Sequence, residues 1–213
     1  MELWQAIRDR RSIRKYTGEL VDQEIIYKII EAGIWAPSAC NIQGWKYIVL
    51  DSPEVIKTIY KSGGASFLQN VKQAIVVLYE NQTDNVEYQD HIQSAAASIQ
   101  NMLLMAHSLK VGTCWVNNIP NKRILRRILN IPFSYDPIAI ITIGYYDYIP
   151  NDRKRKYSVQ ELISYNKFDF DIVSSKSRIK VAIKRFCRKI YKILPGKVVL
   201  LKIVGKFEKK FDN

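Results

Sequence analysis

The sequence predicts a layered domain of alternating helices and strands, of the α/β or α+β class. Two short apolar runs, residues 46–50 and 74–79, are bounded by turn residues or charges and indicate buried strands. Residues 90–109 carry small alanines beside methionines and leucines, which indicates a long helix packed closely against the core. Because strand and helix patterns alternate, we expect both kinds of element in one layered core.

The remaining elements follow from capping residues, breakers and apolar spacing. A short amphipathic helix carries Leu3, Trp4 and Ile7. Asp22 is predicted to cap a second helix, which bears isoleucines at helical spacing and ends before Pro37. The other predicted elements are a helix over 54–61 that Gly63-Gly64 breaks, a strand or turn over 113–116, a short basic helix over 122–129 and a strand over 138–145.

Composition limits the classes of protein to consider. The chain has 213 residues and is 47% hydrophobic, which suits one folded domain of ordinary size with an appendage. We expect no secretory signal sequence, because the N-terminal residues lead directly into charged ones. No apolar run approaches the roughly 20 residues that span a bilayer. A cytoplasmic location is the resulting expectation.

The cysteines and histidines do not predict a metal site. Cys40, Cys114 and Cys187 are odd in number and form no C-x-x-C pair, which argues against a disulfide framework and suits a reducing compartment. His91 and His107 are the only two histidines. A catalytic pairing of Cys40 with either histidine is disfavoured, and a small loop or core thiol is the preferred interpretation.

Two motifs suggest a site for a phosphorylated ring. The run Arg10-Arg11-Ser12-Ile13-Arg14 places three guanidiniums and a hydroxyl within five residues, and guanidiniums match phosphate oxygens. The loop over residues 36–45 is rich in small and amide side chains that can approach a flat polar heterocycle. The plainer interpretation of residues 10–14 alone is a solvated basic run. G-x-G-x-x-G, P-loop and G-x-S-x-G motifs are missing from the sequence.

In their residue types and their order along the chain, these segments resemble the nitroreductase family of FMN-dependent oxidoreductases. Arg10, Arg11, Ser12 and Arg14 match the family's R-R-S-x-R-like run. The second element, P-S-x-x-N-x-Q-P-W-like in the family, is matched by Pro37, Ser38, Asn41, Gln43 and Trp45, with Gly44 in place of the usual proline. The resemblance extends through most of residues 1–163 and includes a basic pair best matched by Arg153 and Arg155. Tyr157 stands where proline is usual, so the register of that pair is open by one residue.

The resemblance implies an α+β fold, with a central, mainly antiparallel sheet flanked by helices and FMN bound at a homodimer interface. NADH or NADPH would give hydride to flavin N5 and leave, and an electron-poor acceptor such as a nitroaromatic or quinone would then be reduced. The flavin carries this chemistry, so no catalytic side chain is implied. Arg14 would lie near the pyrimidine edge and support the reduced flavin.

The resemblance also implies a set of cofactor-binding residues. Arg10, Ser12, Arg153 and Arg155 would hold the phosphate, with Arg11 sharing in this or facing the ribityl chain. Two of the others keep a plain alternative, Gln69 as a surface amide and Trp115 as core, and residues 153–156 could form a solvated basic turn. The full set is Arg10, Arg11, Ser12, Arg14, Ser38, Ala39, Asn41, Gln69, Trp115, Val116, Asn117, Arg153 and Arg155.

Two alternative functions stay open at this point. The first keeps the fold and flavin but changes the redox reaction, to ring oxidation or flavin fragmentation. The second is a non-catalytic basic adaptor that binds a membrane or nucleic acid.

The C-terminal residues 165–213 form a predicted basic extension to the FMN-binding domain of residues 1–164. They hold 14 Lys or Arg against four acids, a net charge of +10, whereas the rest of the chain carries +3. Apolar residues recur at three and four positions over 176–194 and suggest an amphipathic helix. This extension packs on the dimer, or contacts an anionic membrane through residues 176–211. Nucleic-acid binding has the least support, because no recognised fold accompanies the charge.

Overall fold

The computed structural model describes residues 1–83, 85–150 and 154–170, together with Ala182, Ile183 and Phe186. Short 3₁₀ turns lie at Ala39–Asn41, Ser66–Asn70 and Gln160–Leu162. The helices and strands, in chain order, are α1 (Leu3–Asp9), α2 (Gln23–Ile34), β1 (Trp45–Leu50), α3 (Pro53–Lys61), β2 (Gln73–Glu80), α4 (Asp90–Ser108), β3 (Gly112–Val116), α5 (Lys122–Leu129) and β4 (Tyr135–Gly144).

The four strands form one sheet in the order β1-β2-β4-β3, and each neighbouring pair is antiparallel. The α+β prediction with a central antiparallel sheet is therefore confirmed. Strand β2 is buried over almost its whole length, which explains why its sequence is a continuous apolar run rather than an alternating one. The segment 113–116, predicted as strand or turn, is a strand at the edge of the sheet.

Helices cover both faces of the sheet. On one face, Ile75 and Val77 of β2 pack with residues of α2 and α4 in the first core. On the other, Ala74 and Val76 pack with residues of α3 and α5 in the second core. Successive side chains of a strand point to opposite faces, so β2 supplies both cores.

Helices α2 and α4 pack closely at Gly33. A Cβ atom at this position would lie 2.8 Å from Met102 Cγ and 2.9 Å from Ser98 Oγ, so a side chain here would force these side chains of α4 to shift. The predicted packing of α4 is confirmed, since Ala95 and Met102 are fully buried.

Two local predictions need correction. Asp22 occupies the N-cap position of α2, but its side chain makes no capping hydrogen bond; its carbonyl oxygen accepts from the Ile25 and Ile26 N–H groups instead. Strand β4 begins at Tyr135 rather than at residue 138. Pro137 argued against an earlier start, because proline has no backbone N–H to donate to a neighbouring strand. The strand accommodates Pro137 where its register with β2 shifts between Val77 and Leu78.

The chain divides into two compact units. Met1–Pro150 belongs to the first, and Asn151–Lys197 forms the second. In the second, the Glu161 carboxylate accepts hydrogen bonds from the backbone N–H and the hydroxyl of Ser158, at 2.8 and 2.7 Å. The proposed boundary between residues 164 and 165 stays a prediction, and most of the predicted C-terminal extension lies outside the described residues. No helix in the described part is long and apolar enough to cross a membrane.

Candidate functional site

The N-terminal basic segment runs along the free edge of β3. The Ile13 N–H donates to the Thr113 carbonyl at 2.9 Å, and Ser12 forms a parallel bridge with Thr113. Alternation along this extended segment buries Ile13, which is only 4% exposed, and leaves Ser12 and Arg14 half-buried. Thus the apolar residue in the middle of the basic run anchors the polar residues beside it.

A second set of contacts fixes the segment after Arg14. The Tyr16 hydroxyl donates to the Ile13 carbonyl at 2.7 Å and hydrogen-bonds with the Thr142 hydroxyl at 2.6 Å. The Thr17 N–H donates to the Tyr145 carbonyl at 2.9 Å. Burial raises the pKa of Tyr16 far above its usual range, against the smaller opposing effect of the Thr142 hydrogen bond. Tyr16 is therefore a neutral, structural group at all ordinary pH values.

Arg14 and Ser12 lie over the buried thiol of Cys114. Burial raises the pKa of Cys114; the charges of Arg14 and Arg10 and side-chain hydrogen bonds with Ser12 and Arg14 oppose this rise. The Arg14 guanidinium carbon also lies 6.0 Å from the centroid of the Phe67 ring, in cation–π range. Arg10, Ser12 and Arg14 thus form one cluster at the edge of the sheet.

Arg11 has a different position from its neighbours. Its Nη1 donates to the Arg8 carbonyl at 2.7 Å and to the Arg10 carbonyl at 3.1 Å. These carbonyls belong to the end of α1, where backbone acceptors lack helical partners and a cation is favoured by the helix dipole. Part of the Arg11 side chain therefore caps α1.

The second motif forms a hydrogen-bonded loop before β1. The Gln43 N–H donates to Ser38 Oγ at 3.1 Å, and Gln43 Nε2 donates to Asn41 Oδ1 at 2.8 Å. The Ala39 N–H donates to Ser94 Oγ of α4 at 3.0 Å. Asn41 and Gln43 have φ values of 56° and 51°, in the left-handed region that non-glycine residues rarely adopt. Such strained loops are common at functional sites.

Within one chain, the two motifs lie far apart. The 38–43 loop leads into β1, whereas residues 12–14 lie against β3, and β1 and β3 are opposite edges of the sheet. Three strand spacings separate these edges, a distance of about 14 Å. The structure therefore does not bring Ser38, Ala39 and Asn41 together with the arginine cluster in a single subunit.

The other predicted residues are divided between surface and core. Gln69 is exposed on the 3₁₀ turn that also carries Phe67, and the Ala65 N–H joins this turn to the segment after β3 by donating to the Asn118 carbonyl at 2.8 Å. Asn117 is exposed directly after β3. Gln69 and Asn117 therefore lie on two segments that a backbone hydrogen bond joins.

Trp115 and Val116 point to opposite faces of β3. Trp115 packs against the first core, whereas Val116 is a buried member of the second. Val116 can therefore approach a surface ligand only through its backbone. The Trp115 Nε1 atom is buried and has no hydrogen-bond partner in the described part of the chain.

The predicted second basic pair is not part of the described first unit. Arg153 lies outside the described residues, and Arg155 is exposed in the second unit. Sequence reasoning did not single out Phe67 and Cys114 as neighbours of Arg14. The only indication in the sequence was that Phe67 lies near Gln69 and Cys114 lies next to Trp115. The pairing of residue 12 with residue 113 joins distant parts of the chain, so local patterns do not predict it. No cluster of metal-ligating side chains occurs among the described residues.

Comparison with known proteins identifies this arrangement. The model of the nitroreductase family matches residues 7–83 and 63–145, and so includes the arginine cluster, the 38–43 loop and all four strands. A relative from Archaeoglobus fulgidus, provisionally named an NADH dehydrogenase/NAD(P)H nitroreductase, is 32% identical over 75% of this chain and 92% of its own length.

Two solved structures have the same fold. An FMN-dependent nitroreductase from Clostridium difficile R20291 is 30% identical, with a TM-score of 0.67 over 78% of this chain and 99% of its own. A nitroreductase-type protein from Desulfovibrio desulfuricans, crystallised in complex with FMN, is also 30% identical, with a TM-score of 0.65 over 79% of this chain and 99% of its own. The predicted resemblance is confirmed by sequence and by structure: this chain belongs to the nitroreductase family.

Proposed function

We propose that this protein is an FMN-dependent oxidoreductase that takes hydride from NADH or NADPH and reduces a small electron-poor acceptor. The observation that carries this proposal is the cluster of Arg10, Ser12 and Arg14 along the edge of β3, in a chain of the nitroreductase family. Relatives named as an NAD(P)H nitroreductase and an FMN-dependent nitroreductase support the cofactor and the donor. A nitroaromatic or quinone is the proposed class of acceptor.

The residues of the cluster fit the chemistry of FMN. Guanidiniums offer paired N–H donors for a phosphate, and the Ser12 hydroxyl adds a further donor. Arg10, Ser12 and Arg14 are half-buried, so each is accessible on one side and held on the other. FMN, when bound, supplies a ring that accepts hydride and passes two electrons on.

The roles of the individual arginines follow from their positions. We assign Arg10 and Ser12 to the phosphate, with Arg153 and Arg155 as further proposed contacts. Arg14 is held against Phe67 and β3, and we assign it to the pyrimidine edge, where a fixed cation favours developing negative charge. Arg11 is proposed to cap α1 and so to orient the segment that carries Arg10 and Ser12. Its remaining N–H donors are proposed to face the ribityl chain.

No side chain of the cluster acts as a nucleophile in this proposal. Cys114 is 3% exposed, and burial raises the pKa of its thiol, so it is protonated near neutral pH. The protein's contribution is therefore to bind, orient and stabilise charge.

A homodimer is proposed to complete the site. The 38–43 loop and the arginine cluster lie at opposite sheet edges of one subunit, so a partner's loop is required if both motifs contact one flavin. Apolar side chains that a second copy could cover are exposed on α1 and after α2: Leu3 is 68% exposed, Trp4 70% and Trp35 80%. We propose that Ser38, Ala39 and Asn41 reach the flavin from one subunit, and that Gln69, Trp115, Val116 and Asn117 contact it from the other.

The absorption spectrum of the purified protein tests this function directly. We expect flavin bands that bleach on anaerobic addition of NADH or NADPH and return when a quinone is added. Bound flavin that neither nicotinamide reduces would favour a different redox reaction. A colourless protein that does not take up added FMN would favour the non-catalytic adaptor and overturn the proposal.

The location and the C-terminal extension remain predictions. We propose a cytoplasmic protein whose residues 176–211 pack on the dimer or contact an anionic membrane surface. Ile183 and Phe186, two members of the apolar stripe, are 57% and 64% exposed. Replacing Lys180, Lys184 and Arg188 with Gln in the full chain should abolish liposome sedimentation if the membrane is the partner. Unchanged sedimentation would leave dimer packing as the role, which Ile183→Glu tests by the oligomeric state.

A further inference from the structure

Helix α4 holds the 38–43 loop through one side chain. The Ala39 N–H donates to Ser94 Oγ at 3.0 Å, and Ser94 Oγ donates in turn to the Asp90 carbonyl at 2.9 Å. A hydroxyl has one proton and two lone pairs. Because the proton is directed along the helix to Asp90, a lone pair is left to accept from the loop. Ser94 is 5% exposed, so water competes little for this contact.

The shape of the loop and its orientation depend on different hydrogen bonds. Within the loop, the Gln43 N–H donates to Ser38 Oγ and the Asn41 N–H donates to the Ser38 carbonyl, each at 3.1 Å. Among the described residues, the bond between Ala39 and Ser94 is the one hydrogen bond that joins residues 38–43 to another element. The internal bonds therefore determine the shape of the loop, whereas Ser94 determines how the loop is oriented on the domain.

Packing behind the loop is incomplete. A cavity of about 10 Å³ lies there, and its lining includes Ala39, Ile42, Tyr79, His91 and Ser94. The Tyr79 hydroxyl and His91 Nδ1 are buried, but neither has a hydrogen-bond partner in the described part of the chain, so neither holds the loop. Because close packing does not fix the loop on this side, its position depends on the contact with Ser94.

The loop presents neutral polar groups away from its own subunit. Asn41 and Gln43 are exposed at its tip, and Ser38 is half-buried. Amide and hydroxyl groups without a cation suit the ring and the ribityl chain of FMN rather than its dianionic phosphate. The arginine cluster lies at the opposite edge of the sheet, so the flavin that this loop contacts is one bound by a second subunit.

We propose that Ser94 is a positioning residue, which orients the 38–43 loop toward the flavin bound by the arginine cluster of the second subunit. This proposal rests on the proposed function and adds to it a residue that does not itself touch the flavin. Loss of the Ser94 hydroxyl frees the orientation of the loop, while the internal hydrogen bonds of the loop remain. The resulting loss of affinity arises in the site whose arginines belong to the other subunit.

The first test is a titration of the flavin-free full-length protein with FMN and with riboflavin, which lacks the phosphate. Flavin fluorescence reports the Kd. We expect Ser94→Ala to bind FMN about fivefold more weakly, because one neutral hydrogen bond is lost. Riboflavin affinity should fall by the same factor, because the loop does not contact the phosphate. Arg10→Ala, in contrast, should weaken the binding of FMN alone.

Ser98→Ala is the matched control. Ser98 lies one turn further along α4 and is fully buried, and its hydroxyl hydrogen-bonds with that of Tyr47 at 2.7 Å, away from the loop. The two substitutions remove comparable buried hydroxyls from the same helix, so both should lower the free energy of unfolding measured in urea. Only Ser94→Ala should weaken flavin binding. Equal losses of flavin affinity in both variants would overturn the proposal.

The donor side of the same hydrogen bond gives an independent variant. Ala39→Pro removes the N–H group and leaves Ser94 in place. Ser38 has φ −131° and ψ 149°, which a following proline tolerates, and Ala39 begins a 3₁₀ turn, where the φ of proline is suitable. If both residues act through one bond, the double variant should bind FMN no more weakly than either single variant. Losses that multiply would show independent effects and overturn the proposal.

Mixed dimers test whether Ser94 acts on the site of the other subunit. Two differently tagged chains, one with Ser94→Ala and one with Arg14→Ala, should form a dimer in which one site has an intact loop and an intact arginine cluster. That site should bind FMN with the wild-type Kd. When both substitutions are placed in one chain and paired with a wild-type chain, neither site is intact, and the tighter site should bind about fivefold more weakly. The reverse pattern would show that Ser94 acts within its own subunit and would overturn the proposal.

The outcomes distinguish this proposal from the proposed function. Failure of the wild type to bind FMN would overturn the proposed function. Normal binding by the wild type together with wild-type flavin affinity in Ser94→Ala would overturn the role of Ser94 alone.

Discussion

The hydroxyl groups of Tyr16 and Thr142 hydrogen-bond at 2.6 Å and join the N-terminal segment to the sheet. The same Tyr16 hydroxyl donates to the Ile13 carbonyl at 2.7 Å. One side chain thus links strand β4 to the segment that carries Arg14. The orientation of Arg14 depends on this link, because Arg14 lies between Ile13 and Tyr16 in the chain.

Removing the Tyr16 hydroxyl should affect both stability and cofactor binding. Tyr16→Phe leaves the Thr142 hydroxyl and the Ile13 carbonyl without this partner, and we expect the free energy of unfolding to fall by about 1–2 kcal/mol. FMN affinity should fall severalfold, since the Arg14 segment is less well held. Urea unfolding and flavin fluorescence measure the two effects.

Tyr47→Phe is the control for this prediction. Its hydroxyl hydrogen-bonds with Ser98 at 2.7 Å, on the face of the sheet that α4 covers. A similar loss of stability with unchanged FMN affinity is expected. Equal effects of both substitutions on affinity would contradict a specific role for Tyr16.

Loss of the Arg14 charge should weaken FMN binding and make the flavin harder to reduce. In Arg14→Ala, we expect about 10- to 100-fold weaker FMN binding, because a charge-assisted hydrogen bond is lost. The midpoint potential of any bound flavin should shift to more negative values. Arg127→Ala removes an exposed arginine of α5 and should change neither quantity. Wild-type affinity and potential in Arg14→Ala would remove Arg14 from the site.

A charge on the exposed face of α1 should disrupt the proposed dimer. Trp4 is 70% exposed, and we expect Trp4→Glu to sediment as a monomer and to lose FMN during purification. Phe133, 84% exposed in the turn before β4, provides the control, and Phe133→Glu should remain dimeric with bound flavin. Sedimentation velocity over a range of concentrations makes the comparison. A dimeric, flavin-bound Trp4→Glu protein would exclude this face from the interface.

An ion-pair network at the start of β4 should contribute acid-sensitive stability. Asp136 accepts hydrogen bonds from Lys122, Arg126 and Asn81; the Arg126 contact is 2.6 Å and the Asn81 contact 3.2 Å. Burial raises the pKa of Asp136, but these hydrogen bonds outweigh burial, and the net pKa is lower than usual. A depressed carboxyl pKa stabilises the folded state above the unfolded-state pKa, and this stability is lost as the pH falls through the folded-state value.

Asp136→Asn should therefore lower the free energy of unfolding at pH 7 by about 2 kcal/mol, less than for a fully buried pair because Lys122 is half exposed. The difference from wild type should shrink as the pH falls below about 4. Urea unfolding at pH 7 and pH 3 tests this, with exposed Asp51→Asn as the neutral comparison. A constant difference at both pH values would show that the carboxylate charge is not responsible.

Much of the fold follows from local sequence patterns. The apolar runs, the alanine-rich helix and the breakers at Pro37 and Gly63-Gly64 gave element bounds within a few residues of those observed, with the largest error at the start of β4. The start of β4 was not predicted because Pro137 lies within it, and a strand tolerates this proline only through a register shift against the neighbouring strand β2. The cofactor class was also accessible from sequence, since the two motifs preserve the family's residue types and order.

The arrangement of the site required the tertiary structure. Nothing local in residues 10–14 indicates that Ile13 pairs with Thr113, that Arg14 covers Cys114, or that His107 faces Arg10. These contacts join residues about a hundred positions apart, and sheet order determines them. The same order places the 38–43 loop at the far edge from the arginines, which no spacing along the chain reveals. The periodicity of apolar residues predicts which side of an element is buried, but only the tertiary packing determines which elements are neighbours.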